Sequence, residues 1–217
     1  MRPLTLTTHK SMLKVAGRPI LEHILDSLPE EIDEVILIIG YLGHQIKAHF
    51  GDNYGGRRIY YVEQKEKLGT AHALELCRDM LGEERFMLMY GDDIIDKESI
   101  EKLLDHKLAV LVKEVEDPRR FGVVVTDTQG KVLEIVEKPE HPASNLAMTG
   151  VQVIDSRIFD YPALRSASGE YFATDSLALM VQDYDVIAER AEIWLSVATP
   201  EDLKKINENY KTYAGKL

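Results

Sequence analysis

The sequence predicts an α/β protein: a Rossmann-like mixed, mostly parallel sheet flanked by helices, with a β-rich elaboration in its second half. Three observations carry that prediction. The first half alternates short apolar runs with amphipathic stretches, a pattern that makes successive strands neighbours through right-handed crossovers. Phe86-Met87-Leu88-Met89-Tyr90 sets large residues side by side, as in a strand covered on both faces. Between Gly122 and Ile154, β-branched runs follow one another without an intervening helical pattern, so the architecture changes part-way along the chain.

The elements follow in order. Pro19 to Leu28 carries Ile20, Leu21, Ile24, Leu25 and Leu28 at helical spacing, with proline suited to the first turn. Val35–Ile39 is a short buried strand stopped by Gly40, and a helix runs from Leu42 to Phe50. The glycine-rich loop 51–56 leads to a strand over Ile59–Val62. A helix over Thr70–Leu81 precedes the strand Phe86–Tyr90; Lys97–Lys107 is a further helix and Leu108–Lys113 a further strand. Gly122–Thr126 and Val132–Val136 flank Asp127-Thr128-Gln129-Gly130, a hairpin signal. Thr149–Ile154 is a strand, Thr174–Gln182 a helix and Asp185–Ala188 a short strand. Pro200–Tyr213 closes the fold as a helix, with Thr199 as N-cap and Glu201-Asp202 in its first turn.

Composition limits the function. The 217 residues suit one domain, with 45% hydrophobic and 29% charged residues supporting a sizeable core. A net charge of −11 argues against nucleic acid or an anionic membrane as partner. It leaves room for a phosphorylated small molecule, which needs only a few local cations. Cys77 is the single cysteine, so no internal disulfide can form and a reducing, cytoplasmic setting is expected. It lies among Ala73, Leu74, Leu76, Met80 and Leu81 and reads as a packed thiol. The histidines lack zinc-site spacing, and no apolar stretch is long enough to span a bilayer.

Three segments carry chemistry. Tyr90-Gly91-Asp92-Asp93 lies at the carboxyl end of a strand, where α/β folds bind ligands. It reads either as a polar turn or as a carboxylate poised to hold Mg²⁺ against a phosphate. In Gln64 to Ala73, Gly69 and Thr70 sit where a strand passes into a helix, and the Gln64 amide can both donate and accept to a base. A plain glycine turn capped by Thr70 is the alternative. Glu137-Lys138-Pro139 ends a strand: the carboxylate can accept from sugar hydroxyls and the ammonium can meet a phosphate, unless both are simply solvated.

Taken in order, Gln64-x-x-x-x-Gly69-Thr70-Ala71-x-Ala73, Tyr90-Gly91-Asp92, Phe121-Gly122, Glu137-Lys138-Pro139, Thr149-Gly150, Gly169-Glu170 with Thr174-Asp175, and Thr199-Pro200-Glu201-Asp202-Leu203 form a series. That series resembles the sugar-1-phosphate nucleotidylyltransferases, over nearly the whole chain. Arg2-Pro3-Leu4-Thr5 through Lys10 and Val15-Ala16-Gly17-Arg18-Pro19 is similar to the family's opening block. The resemblance implies one domain over 1–217, with a nucleotide-binding half (1–115) and a sugar-binding half (116–217). It implies attack of a sugar-1-phosphate oxygen on the α-phosphorus of a nucleoside triphosphate, with pyrophosphate leaving. Lys10, Asp92 and Lys138 then match the catalytic positions. Lys10, Gln64, Gly69, Thr70, Tyr90, Gly91 and Asp92 match the nucleotide side, and Gly122, Glu137, Lys138, Gly150 and Glu170 the sugar side. Mg²⁺ is the implied cofactor with Asp92 as its ligand. The Gly-Thr-Ala-His-Ala and Tyr-Gly-Asp forms look most like UTP-dependent members. The implied partners are a nucleoside triphosphate and a sugar-1-phosphate, and a homo-oligomer is allowed, the sequence being silent on oligomeric state.

The chain also departs from the family. The family's first central strand and glycine-rich loop precede Arg-Pro-Leu-Thr, whereas here the sequence starts at Met1-Arg2-Pro3. The expectation is a true start roughly 15 residues upstream, with the chain as given weak or inactive, or a degenerate member that binds without turnover. Without that strand, Val35–Ile39 and Phe86–Tyr90 should lack a shared neighbour. The family's second metal carboxylate is replaced by Ser196, a poorer Mg²⁺ ligand. Met148 stands where many uridylyltransferases have Asn. Asp93 is a candidate substitute for the lost carboxylate, although consecutive residues of an extended segment face opposite ways.

Overall fold

A computed structural model describes all 217 residues. In chain order the elements are β1 (Lys14–Val15), β2 (Arg18–Pro19), α1 (Ile20–Asp26), β3 (Glu34–Ile39), α2 (Gly43–Phe50), β4 (Asn53–Tyr54) and β5 (Arg57–Glu63). Next come α3 (Thr70–Glu75), α4 (Arg78–Leu81), β6 (Arg85–Met89), β7 (Asp93–Ile95), α5 (Lys97–Leu104) and β8 (Ala109–Glu114). The remainder is β9 (Gly122–Thr126), β10 (Val132–Glu137), β11 (Leu146–Asp155), α6 (Ala173–Met180), β12 (Ile187–Arg190), β13 (Trp194–Ser196) and α7 (Pro200–Tyr213). The fold is mixed α/β, with sheets flanked by helices. It forms two compact units interleaved in sequence: Met1–Lys65, Tyr90–Glu101 and Glu192–Leu217 make the first, and Glu66–Met89 with Lys102–Ala191 the second.

In the first unit, β3 and β5 pair in parallel with Val35 opposite Ile59, and β4 adds antiparallel to β5. β1 and β2 form a hairpin turning on Ala16 and Gly17, both at positive φ (50° and 84°), the conformation of a tight primed turn. Asn207 of α7 fixes that turn by accepting from Ala16 N–H at 2.9 Å and donating to Lys14 O at 3.1 Å. The α1 pattern buries Ile20, Leu21, Ile24 and Leu25 as spaced, each such side chain contributing about 1.5–3 kcal/mol. α7 starts where expected, with a reciprocal capping box between Thr199 and Asp202.

The second unit is organised by β11, which pairs antiparallel with β6, β8 and β9; β10 extends the sheet beside β9, and β12 joins β8 in parallel. The antiparallel share is larger than helix–strand alternation predicts, because this one long strand serves three neighbours. Under the sheet lies a core with Val110, Val112, Val124, Leu146, Leu177 and Met180 all buried.

The helix expected over 70–81 is broken. α3 stops at Glu75, and α4 resumes at Arg78 after Cys77 at φ −97°, ψ −3°. Cys77 itself is buried, and desolvation pushes its thiol up to about 11, the packed role expected of it. Five short strands escaped the sequence pattern: β1, β2, β4, β7 and β13, of which β7 and β13 pair antiparallel with Ser196 opposite Asp93.

Within the first unit β3 pairs only with β5, and within the second β6 pairs only with β11. Each therefore has one edge without a ladder partner. Their aliphatic and aromatic side chains are mostly half-buried, with Ile39 alone fully covered.

Candidate active site

The first unit brings Lys10 and Asp92, 82 positions apart, into a side-chain ion pair. Lys10 opens a short 3-10 turn capped by His9, whose ring accepts from Ser11 N–H at 3.2 Å. Asp92 follows Gly91, and a side chain at Gly91 would begin 3.0 Å from Ser11 Oγ. The glycine thus lets the strand end and the Lys10 turn approach closely. Both charged groups stay about one-third exposed, at 33% for Lys10 and 30% for Asp92, accessible to a ligand.

Asp93 faces the other way. It is only 6% exposed, accepts from Trp194 Nε1 at 3.0 Å, and is hydrogen-bonded by the Ser196 side chain. Burial, then the adjacent Asp92 charge, push its carboxyl up to about 7. Asp93 is therefore committed to the β7–β13 pair and does not stand in for the carboxylate missing at Ser196.

No cluster of three or more His, Cys, Asp or Glu side chains could hold a metal ion. Asp92 supplies one partly exposed carboxylate. That donor set does not make a protein-only cage, but it fits Mg²⁺ carried mainly by substrate phosphates and water, which needs only one or two protein carboxylates.

Gln64 leaves β5, with its backbone N–H donating to Ile39 O at 2.8 Å. In the second unit, Gly69 is fixed against Tyr171. A Cβ there would lie 2.4 Å from Tyr171 O, and φ is +94°. Tyr171 N–H donates to Leu68 O and Ala71 N–H to Tyr171 O, at 2.8 and 2.9 Å. Thr70 does not cap its own helix; Gly69 holds that position. Its hydroxyl instead accepts from Ala173 N–H at 2.9 Å, at the start of α6.

Gly122, Glu137 and Lys138 converge in the second unit. Glu137 lies opposite Gly122 in the β9–β10 ladder, and a Cβ on Gly122 would meet Thr174, Met148 and Glu137 Oε2 at 3.0–3.3 Å. Lys138 Nζ pairs with Glu137 at 3.1 Å and sits 4.4 Å from the Phe172 ring centroid. Its backbone is left-handed, at φ 46°, which is uncommon for a residue other than glycine and is typical of functional positions. Asp175, whose carboxyl is raised by burial and by the Glu137 charge, completes the cluster. Met148 belongs to the same cluster, its Sδ 3.1 Å from the Cβ position of Gly122.

Gly150 (φ 79°) sits where the β11–β8 register shifts, beside buried Thr149, whose hydroxyl donates to Leu111 O at 3.0 Å. Glu170 is held in its own turn by Ser168 Oγ at 3.2 Å. Sequence reasoning missed Phe172 and gave Asp175 and Trp194 no role at the site. Phe172 and Asp175 carry a readable signal, since they flank a glycine-led loop and open a helix.

The sequence model of the family described as Nucleotidyl transferase matches residues 1–213. The chain belongs to that family. Among curated relatives, the UTP–glucose-1-phosphate uridylyltransferase AglF of Haloferax volcanii is 38% identical over 216 residues, covering 93% of this chain and 88% of AglF. The bifunctional protein GlmU of Methanocaldococcus jannaschii is 35% identical over 211 residues, covering 96% of this chain but 50% of GlmU. The nucleotidyl transferase chain thus spans about half the length of that relative. Among solved structures, a Bacillus anthracis protein described as a glucose-1-phosphate thymidylyltransferase, crystallised with sucrose, superposes with a TM-score of 0.84 at 29% identity, over 96% of this chain and 89% of that one. A UDP-glucose pyrophosphorylase complexed with UDP-glucose superposes with a TM-score of 0.87 over 98% of this chain and 94% of that one; at 20% identity it speaks to the fold alone.

Proposed function

We propose that the chain transfers a nucleoside monophosphate, UMP from UTP, to a sugar-1-phosphate, releasing pyrophosphate and a nucleotide sugar. The observation that carries this reading is the Lys10–Asp92 pair beside Gly91. It joins a phosphate-binding cation to a carboxylate able to hold a phosphate-bound Mg²⁺, at the end of a strand. The likeness to AglF supports UTP as donor.

Each residue then has a role. Lys10 neutralises triphosphate oxygens, and Gln64, Gly69, Thr70 and Tyr90 receive the base and ribose. Glu137, with Gly122, Gly150 and Glu170, orients sugar hydroxyls, and Lys138 steadies the incoming phosphate. Mg²⁺ held by Asp92 would supply charge neutralisation on the phosphates. The gain comes from positioning and electrostatics rather than from a covalent intermediate. The lone Cys77 and the acidic surface are consistent with a cytoplasmic setting.

A second reading, binding without turnover, draws support from the commitment of Asp93 to Trp194 and from the neutral Ser196. Pyrophosphate release separates the two. The assay supplies UTP, Mg²⁺ and either glucose-1-phosphate or N-acetylglucosamine-1-phosphate. Release that is lost in Lys10→Ala and Asp92→Ala supports transfer. Binding of UTP with no release from any sugar phosphate supports the second reading.

A further inference from the structure

The second unit holds an open cleft of about 390 Å³ lined by Asp117, Arg119, Arg120, Lys138, Pro139 and Glu140. Backbone pairing builds it. Glu137 stands opposite Gly122, and one residue further on Lys138 N–H donates to Phe121 O at 3.0 Å. The residue before Phe121, Arg120, is thereby brought to the same rim as Lys138.

Two of the three cations are already engaged. Arg119 forks onto Asp117 through Nε and Nη2, at 2.8 and 2.7 Å. Lys138 is offset by Glu137 at 3.1 Å. Arg120 is exposed and makes no ion pair; its guanidinium lies 6.0 Å from the ring of its neighbour Phe121.

A phosphate monoester carries a charge of about −1.5 to −2 near neutral pH. Lys138, already balanced by a carboxylate, cannot neutralise it alone. A guanidinium offers the planar fork that matches two phosphate oxygens. We propose that Arg120 is a second cation for the phosphate of the sugar phosphate, acting beside Lys138 across this cleft. The assignment rests on the sugar-phosphate reading above.

The test is calorimetric titration of the full chain with glucose-1-phosphate, inorganic phosphate and glucose, in the native protein and in Arg120→Ala, Arg120→Lys and Arg119→Ala. Arg120→Ala should weaken glucose-1-phosphate binding about tenfold or more, as loss of a charge-assisted bond implies. Arg120→Lys should recover part of it, and Arg119→Ala should change it little, while UTP affinity stays constant in all three. Undiminished binding in Arg120→Ala overturns the proposal and leaves the sugar-phosphate reading intact. Arg120-dependent binding of inorganic phosphate without binding of glucose-1-phosphate keeps the anion role and overturns the sugar-phosphate reading. Absence of any phosphate binding by the native chain overturns both.

Discussion

The Trp194 indole donates to Asp93 at 3.0 Å, so of two consecutive carboxylates only Asp92 meets the Lys10 ammonium. Asp93 is spent inside the β7–β13 pair while Asp92, one residue before β7, keeps a partly exposed carboxylate, so the two should respond differently to substitution.

Asp93 should make stability pH-dependent. Its carboxyl is raised to about 7, chiefly by burial, from an unfolded value of about 3.9. An acid raised on folding contributes most where it is protonated in both states. Its contribution is therefore complete below about pH 4 and is lost as pH climbs through the folded value. Asp93→Asn keeps an acceptor for Trp194 but cannot ionise. Between pH 5 and pH 8 its stability relative to the native chain should improve by about 1–3 kcal/mol. Urea midpoints at the two pH values measure this, and an unchanged difference would refute it.

Gly69→Ala should damage the second unit. The new Cβ would lie 2.4 Å from Tyr171 O, on a backbone at φ +94°; the expected cost is about 2–4 kcal/mol. Gly82→Ala is the control, with φ +62° and nothing within 4 Å of its Cβ. Only its backbone, at φ +62° and ψ −147°, a region open essentially to glycine alone, penalises it, by about 1–3 kcal/mol. Denaturant titration of both variants should give unequal losses; equal losses would mean that the Tyr171 loop simply yields.

Lys138 combines a charge with a left-handed backbone, at φ 46°. Lys138→Ala and Lys138→Gly both remove the ammonium and should reduce sugar-phosphate affinity to the same degree. Glycine alone also relieves the backbone, so Lys138→Gly should be the more stable of the two by about 1 kcal/mol. Thermal melts read the stability and titration with glucose-1-phosphate reads the charge. A difference in affinity between the variants would show that backbone shape, not charge, governs binding.

Amide exchange should rank the strands. β8 is flanked by β11 and β12, whereas β3 and β6 each have a single neighbour within their units. Amides of Ala109–Glu114 should exchange slowest, with faster exchange along Glu34–Ile39 and Arg85–Met89. Uniform protection of all three strands would indicate that the open edges are covered in solution.

Much of this was legible in the sequence, for identifiable reasons. α1 and α7 were readable because their apolar spacing and the Thr199 cap are local signals. The strand ends at Asp92 and Glu137 were readable because glycine and proline punctuate them. Other features depend on partners distant in sequence. β7 and β13 are three residues each and exist only through each other. The single helix expected over 70–81 divides at buried Cys77, where packing overrides helical periodicity. The alternative of Thr70 as an N-cap fails because its hydroxyl accepts 103 residues away, from Ala173 N–H. Asp93 could be assigned from strand alternation, but its Trp194 partner could not.

The threading of the chain has a consequence for synthesis. The first unit is assembled from Met1–Lys65, Tyr90–Glu101 and Glu192–Leu217, so β13 and α7 reach it only after Lys102–Ala191 has been made. Nascent β7 must wait for its partner β13, and the β1–β2 turn for Asn207, while the intervening residues are translated. A cell making this protein therefore has reason to shield the unfinished unit with a chaperone until Glu192–Leu217 emerges.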